Sequence, residues 1–108
     1  MAVTIRFRPV LFGSPTSPTA VFCLVEQPTG RVVFRDMEVP WPLAVGLEAA
    51  TPDDLPPFYR RRNLDVVVLP PEEVIGETLA EAHQSMTAAL QARYAGAVAV
   101  TTGSAQRV

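Results

Sequence analysis

Along the first part of the chain, Val3, Ile5 and Phe7 alternate with Thr4, Arg6 and Arg8. This is the period-two pattern of a half-buried strand with its arginines on the wet face. Pro9 has no N–H to give a ladder, which predicts that the strand lies at an edge or bends there. Gly13-Ser14-Pro15-Thr16-Ser17-Pro18-Thr19 has the composition of a loop. Ala20–Glu26 follows as a more fully buried strand. Gln27-Pro28-Thr29-Gly30-Arg31 then places proline early in a turn and glycine where φ turns positive, predicting a hairpin between Ala20–Glu26 and Arg31–Val39.

Pro40-Trp41-Pro42 is expected to end that third strand, because two prolines in three residues withhold two donors and force extended geometry on their neighbours. A short helix is predicted within Leu43–Ala50. Thr51-Pro52-Asp53-Asp54 has the order of a cap, a first-position proline and early acids, and Pro56-Pro57 limits it to one helical turn before irregular chain through Asn63. Leu64–Leu69, with three consecutive valines, predicts a central strand.

Pro70-Pro71-Glu72-Glu73 suits a helix start, and Ile75, Leu79, Ala82, Met86 and Leu90 recur at helical spacing, predicting one long helix with that stripe buried. Gly76 costs a helix interior about 1 kcal/mol and moves the alternative start to Glu77. Gly96 is the expected cap and Ala97–Thr101 a last strand. The order β-β-β-loop-β-α-β predicts an α+β fold: a mixed or antiparallel sheet of about four to five strands packed on one long C-terminal helix. If the Leu64 and Ala97 strands are parallel, the unit between them is a right-handed crossover. Residues 1–101 form the expected single domain and 102–108 a flexible tail.

Composition narrows the function classes. Hydrophobic residues make up 48% of the 108 residues and charged ones 19%, a balance that packs a core. The apolar runs are too short to span a bilayer, and Arg6 and Arg8 interrupt the stretch where a signal peptide would be apolar, so a cytoplasmic location without membrane contact is expected. The lone Cys23 lies in an apolar run and is expected to pack. His83 has no second histidine to complete a zinc site and is expected to be structural or solvated. No phosphate loop, dinucleotide fingerprint or Gly-x-Ser-x-Gly elbow occurs, so neither a cofactor nor a resident metal is expected.

Three readings follow. The leading one is a small non-enzymatic interaction module that binds another protein, or itself as a homodimer. It acts through a sheet edge or the proline-rich 39–63 segment, with Trp41, Leu55, Phe58 and Tyr59 as contacts. Seven of the eleven prolines fall between residues 40 and 71, which preorganises that surface. The second is nucleic-acid binding: Arg60, Arg61 and Arg62 follow two aromatics, and Arg6, Arg8 and Arg35 would extend the basic surface. A net charge of −2 weighs against it. The third is a metal-assisted hydrolase in which Asp36 and Glu38, two apart on one strand face, hold magnesium with Asp65.

Gly76-Glu77-Thr78-Leu79-Ala80-Glu81-Ala82 resembles the helix start of HicB-type antitoxins, small folds that set a helix on a three-stranded sheet and bind a ribonuclease toxin. Val32–Pro40 and Pro42 echo the strand and proline turn of that family. The chain departs from the pattern in placing more than thirty residues between Pro42 and Gly76, and the resemblance implies only a protein partner.

Overall fold

The fold was analysed in a computed structural model that describes residues 2–14, 16–35, 40–55, 65–95 and 99–100; at 35, 40–42 and 99–100 the description covers the backbone alone. It is an α+β fold in which the described residues form the strands β1 (Val3–Ser14), β2 (Ser17–Glu26), β3 (Val32–Arg35), β4 (Pro40–Leu43), β5 (Val66–Val68), β6 (Glu72–Gly76) and β7 (Ala99–Val100) and the helix α1 (Leu79–Arg93). The sheet order is β4-β3-β2-β1-β5. β6 also pairs with β1, and β7 pairs with β2. Seven strand segments therefore fill five positions, since β5 and β6 share one side of β1 while β3 and β7 share the outer side of β2. All pairings are antiparallel except β2 with β7, so β6 and β7 run parallel on either side of the β1–β2 pair.

The loop expected over residues 13–19 is instead the tip of a long hairpin, with Ser14 opposite Ser17 and a register shift after Phe12. Gly13 takes φ +99° at that shift, and the Thr19 hydroxyl donates to the Phe12 carbonyl at 3.0 Å. Ser14, Thr16 and Ser17 are exposed at the tip, while Pro18 is buried opposite Gly13. The second hairpin forms as expected. Gly30 N–H donates to the Gln27 carbonyl at 2.9 Å, Gln27 N–H to Arg31 at 2.6 Å, and Gly30 adopts φ +81°.

Pro9 does not lie on an edge strand. It sits buried in the middle of β1, opposite Cys23. Successive residues of a strand point their backbone polar groups to opposite sides. The Pro9 carbonyl accepts from Leu69 N–H at 2.8 Å, so its missing donor also faces the β5/β6 side. That is where partnership passes from β6, opposite Val3–Phe7, to β5, opposite Val10–Phe12, and no bond to β2 is lost.

Three expectations are corrected. Pro40-Trp41-Pro42 lies beyond β3 but, against the expectation that its prolines deny ladder bonds, forms β4 opposite Phe34 and its neighbours. The alternation of bonding sides turns Pro40 and Pro42 outward, so Trp41 and Leu43 carry the ladder, as an edge strand permits. The valines of β5 form a half-buried end strand, not a central one. Residues 72–76 are strand, not helix, and the helix starts at Leu79, near the alternative at Glu77. Thr78 is its cap: its hydroxyl accepts from Glu81 N–H at 3.2 Å, and the Glu81 carboxylate accepts from Glu77 N–H at 3.1 Å.

The two sheet faces carry separate cores. α1 covers one, setting Ala82, Met86 and Leu90 against Ile5, Phe7, Cys23 and Val25. The stripe Leu79, Ala82, Met86, Leu90 holds, while Ile75 falls outside it at 65% exposed. The other face, with Val10, Phe12, Leu24 and Phe34, is covered by Leu43 at the end of β4 and by Leu47, Ala50 and Leu55 of the connection after it. Phe22 bridges Phe12 and Phe34 there, with ring centroids 5.1 and 5.4 Å away. Short 3-10 turns at Leu47–Ala49 and Pro52–Asp54 shape that cover, and the Asp54 carboxylate accepts from Thr51 N–H at 2.7 Å. No helix among the described residues is long and apolar enough to cross a membrane.

Candidate functional site

Arg6 and Arg8 share the sheet face that the connection covers, and both are engaged within the protein. Arg8 donates through Nε to the Leu69 carbonyl at 2.6 Å and through Nη1 to the carbonyls of Leu47, Glu48 and Ala50 at 3.1, 3.3 and 2.9 Å. It thereby takes up carbonyls at the end of the first 3-10 turn and ties both the cover and the β5 junction to β1. Arg6 meets three carboxylates: Glu26 on β2 at 2.9 Å, Glu73 on β6 at 3.3 Å, and Glu48 by a direct ion pair. The hydrogen bond from Arg6 holds the Glu48 carboxyl below its usual range.

At this end of the sheet the β1–β2 ladder stops at Phe7 opposite Val25, although β1 runs back to Val3 against β6. Thr4 and Arg6 turn their backbone polar groups toward β2, where Pro28 of the hairpin has no N–H to offer. The separation opens a half-enclosed cleft of about 630 Å³, lined among others by Ile5, Arg6, Val25, Glu26, Gln27 and Leu79. Gln27 is 9% exposed, and its Oε1 is buried without a hydrogen-bond partner. An acceptor left so costs about 1–3 kcal/mol.

A third feature is the outer side of β6. Glu72, Val74 and Gly76 bond toward β1, so Glu73 and Ile75 turn their N–H and C=O groups outward. Ile75, the exposed large hydrophobic among the described residues, stands on that strand. β6 is fixed from the helix side by Arg93, whose two Nη groups each donate to Glu72 at 2.7 Å. That pairing holds the Glu72 carboxyl below its usual range. At Gly76 the helix start approaches so closely that a β carbon would lie 2.9 Å from Ala82 Cα and clash with Ala82 N.

Of the residues singled out for partner contact, Leu55 is 2% exposed in the second core, so its apolar surface is already used. Trp41 has its backbone in β4 opposite Phe34, while its side chain, Phe58 and Tyr59 lie outside the described residues. So do Arg60, Arg61, Arg62, Asp36 and Glu38, and the side chain of Arg35. Arg6 and Arg8 are drawn into internal pairings and do not form an open basic surface. Cys23 is buried as expected, and burial raises its thiol pKa, which suppresses the thiolate. His83 is half-buried on α1. Among the described residues no group of three His, Cys, Asp or Glu could hold a metal ion.

Sequence reasoning missed both the cleft and the β6 edge. The Thr78-x-x-Glu81 spacing is a helix-start signature that could have freed residues 72–76 for a strand. Nothing local marks Gln27 as buried. The chain matches no protein-family model, no curated protein and no solved structure. The likeness of Gly76–Ala82 to an antitoxin helix start thus rests on a strand-end glycine followed by ordinary capping chemistry.

Proposed function

We propose that this protein is a non-enzymatic interaction module that accepts an extended segment of a partner protein along the outer edge of β6. The observation that carries this reading is the pair of outward-turned residues Glu73 and Ile75, whose strand, among the described residues, has a partner on one side only. Strand addition takes its affinity from such backbone groups and its selectivity from alternating side chains. Ile75 supplies the apolar anchor. Glu73, 58% exposed beyond its contact with Arg6, and the exposed Glu77 favour a partner strand with basic residues between apolar ones. The same acids disfavour pairing of β6 with its own copy, because antiparallel self-pairing brings acidic strands together.

Fluorescence anisotropy with labelled decapeptides of alternating apolar and basic residues tests the reading. The expected result is saturable binding that Ile75→Thr weakens and Ile75→Pro abolishes, since proline also removes the outward N–H. Methylating alternate peptide nitrogens should have the same effect. Equal binding by Ile75→Pro and the unaltered protein would refute strand addition.

A further inference from the structure

β5 and β6 pair one after the other with the same side of β1, and the register changes between them. Along β5, Val10 faces Val68 and Phe12 faces Val66, and Leu69 N–H donates to the Pro9 carbonyl in that same register. Along β6, Phe7 faces Glu72 and Val3 faces Gly76. Pro70 and Pro71 together therefore stand against Arg8, so this side of the ladder carries one residue more than β1 across the junction. Two residues opposing one make a β-bulge, which sharpens the local twist and is a means by which an edge ends its pairing.

The bulge also fixes where outward donors occur. Gly13 N–H donates to the Asp65 carbonyl and Leu69 N–H to Pro9, so Asp65, Val67 and Leu69 bond inward while Val66 and Val68 turn outward. On β6 the outward residues are Glu73 and Ile75. Between Val68 and Glu73 no N–H faces outward: Leu69 and Glu72 bond toward β1, and the exposed Pro70 and Pro71 have none to give. A regular strand laid along Glu73 and Ile75 thus meets a stretch without donors, and then a shifted register, before it reaches β5. In the other direction the chain leaves β6 after Gly76 for the cap at Thr78.

We infer that β6 is a bounded docking edge, the length of its own five residues, and that its partner is a short basic and apolar segment carried on a chain end or a loop. The long edge strand of a folded sheet does not fit, because it would have to pair on across the bulge. This inference rests on strand addition at β6 and adds the class of partner.

Peptide affinity and amide hydrogen exchange by NMR, both on the isotope-labelled full chain, test the limit. The probes are a capped pentapeptide of alternating apolar and basic residues and the same peptide with three threonines added at each end. Threonine favours strands and carries no charge, so the longer probe pairs further wherever the edge allows it. Two further backbone hydrogen bonds would tighten binding roughly fivefold or more. The expected result is a smaller difference than that between the probes, with exchange slowed at Glu73 and Ile75 and unchanged at Val66 and Val68. A gain of about fivefold or more for the longer probe, or slowed exchange reaching Val66 and Val68, would overturn the limit and leave strand addition at β6 standing. No binding of either peptide, or binding that leaves exchange at Glu73 and Ile75 unaltered, would overturn both.

Discussion

At one end of the sheet the outward-turned residues of β4 are Pro40 and Pro42, which have no N–H to present; at the other, Glu73 and Ile75 of β6 keep theirs. Unpaired edges invite pairing with other chains, and proline is one of the means by which proteins close them. The contrast teaches that one edge is protected by its backbone chemistry, whereas the other keeps its outward N–H groups and is held from behind. Rigidity matters because a strand already fixed in its extended shape loses little entropy when a partner adds to it. The hold on β6 comes from the close approach of Gly76 to α1 and from the paired bonds of Arg93 to Glu72.

Breaking that hold should have the largest effect. Gly76→Val places a branched side chain where even a β carbon has no room, and should destabilise the fold by about 3 kcal/mol or more, measured by urea unfolding. A smaller effect is expected from Glu72→Gln. The Glu72 pKa is depressed in the folded state, so its contribution is present above the unfolded carboxyl pKa of about 4.3 and lost as pH falls through the lower folded value. For a partly exposed pair this is worth about 0.5–1 kcal/mol, and the variant should show that much less stability at neutral pH and a flatter acid limb in unfolding followed against pH. The smallest change in stability, within about 0.5 kcal/mol, is expected when Pro40 and Pro42 are both replaced by threonine. Yet that substitution restores two outward donors, so light scattering should record new self-association. A protein that stays as dispersed as before would mean that the prolines do not guard the β4 edge.

The two edges also differ in how legible they were. The composition of Pro40-Trp41-Pro42 reads as a strand terminator, because proline's cost to a ladder is visible locally while its harmlessness at an edge depends on which side of the strand is paired. Residues 70–76 read as helix for the opposite reason. Two prolines followed by two acids are genuine helix-start chemistry, and Ile75 happens to sit four residues before Leu79, in phase with the real stripe. The β-branched pair Val74-Ile75 and the cap at Thr78 argue for a strand, but only the pairing of Val3–Phe7 with residues 72–76 makes them decisive. For the candidate sites the sequence offered less. Arg6 and Arg8 read as wet-face arginines, whereas glutamates and carbonyls distant in sequence engage both.

What the amino-acid sequence alone determined was therefore short in range: the turn at Pro28–Gly30, the alternation of Val3–Phe7, the stripe from Leu79 to Leu90, the burial of Cys23, and with them the α+β class. These follow from backbone preferences and side-chain spacing within a few residues. The tertiary structure alone decided the second core beneath the connection, the exchange of β6 for β5 at Pro9, the engagement of Arg6 and Arg8, and the open edge and cleft. Each of those depends on which distant segments bury one another, a choice made by the summed packing and hydrogen bonding of the whole chain, to which no single local preference corresponds.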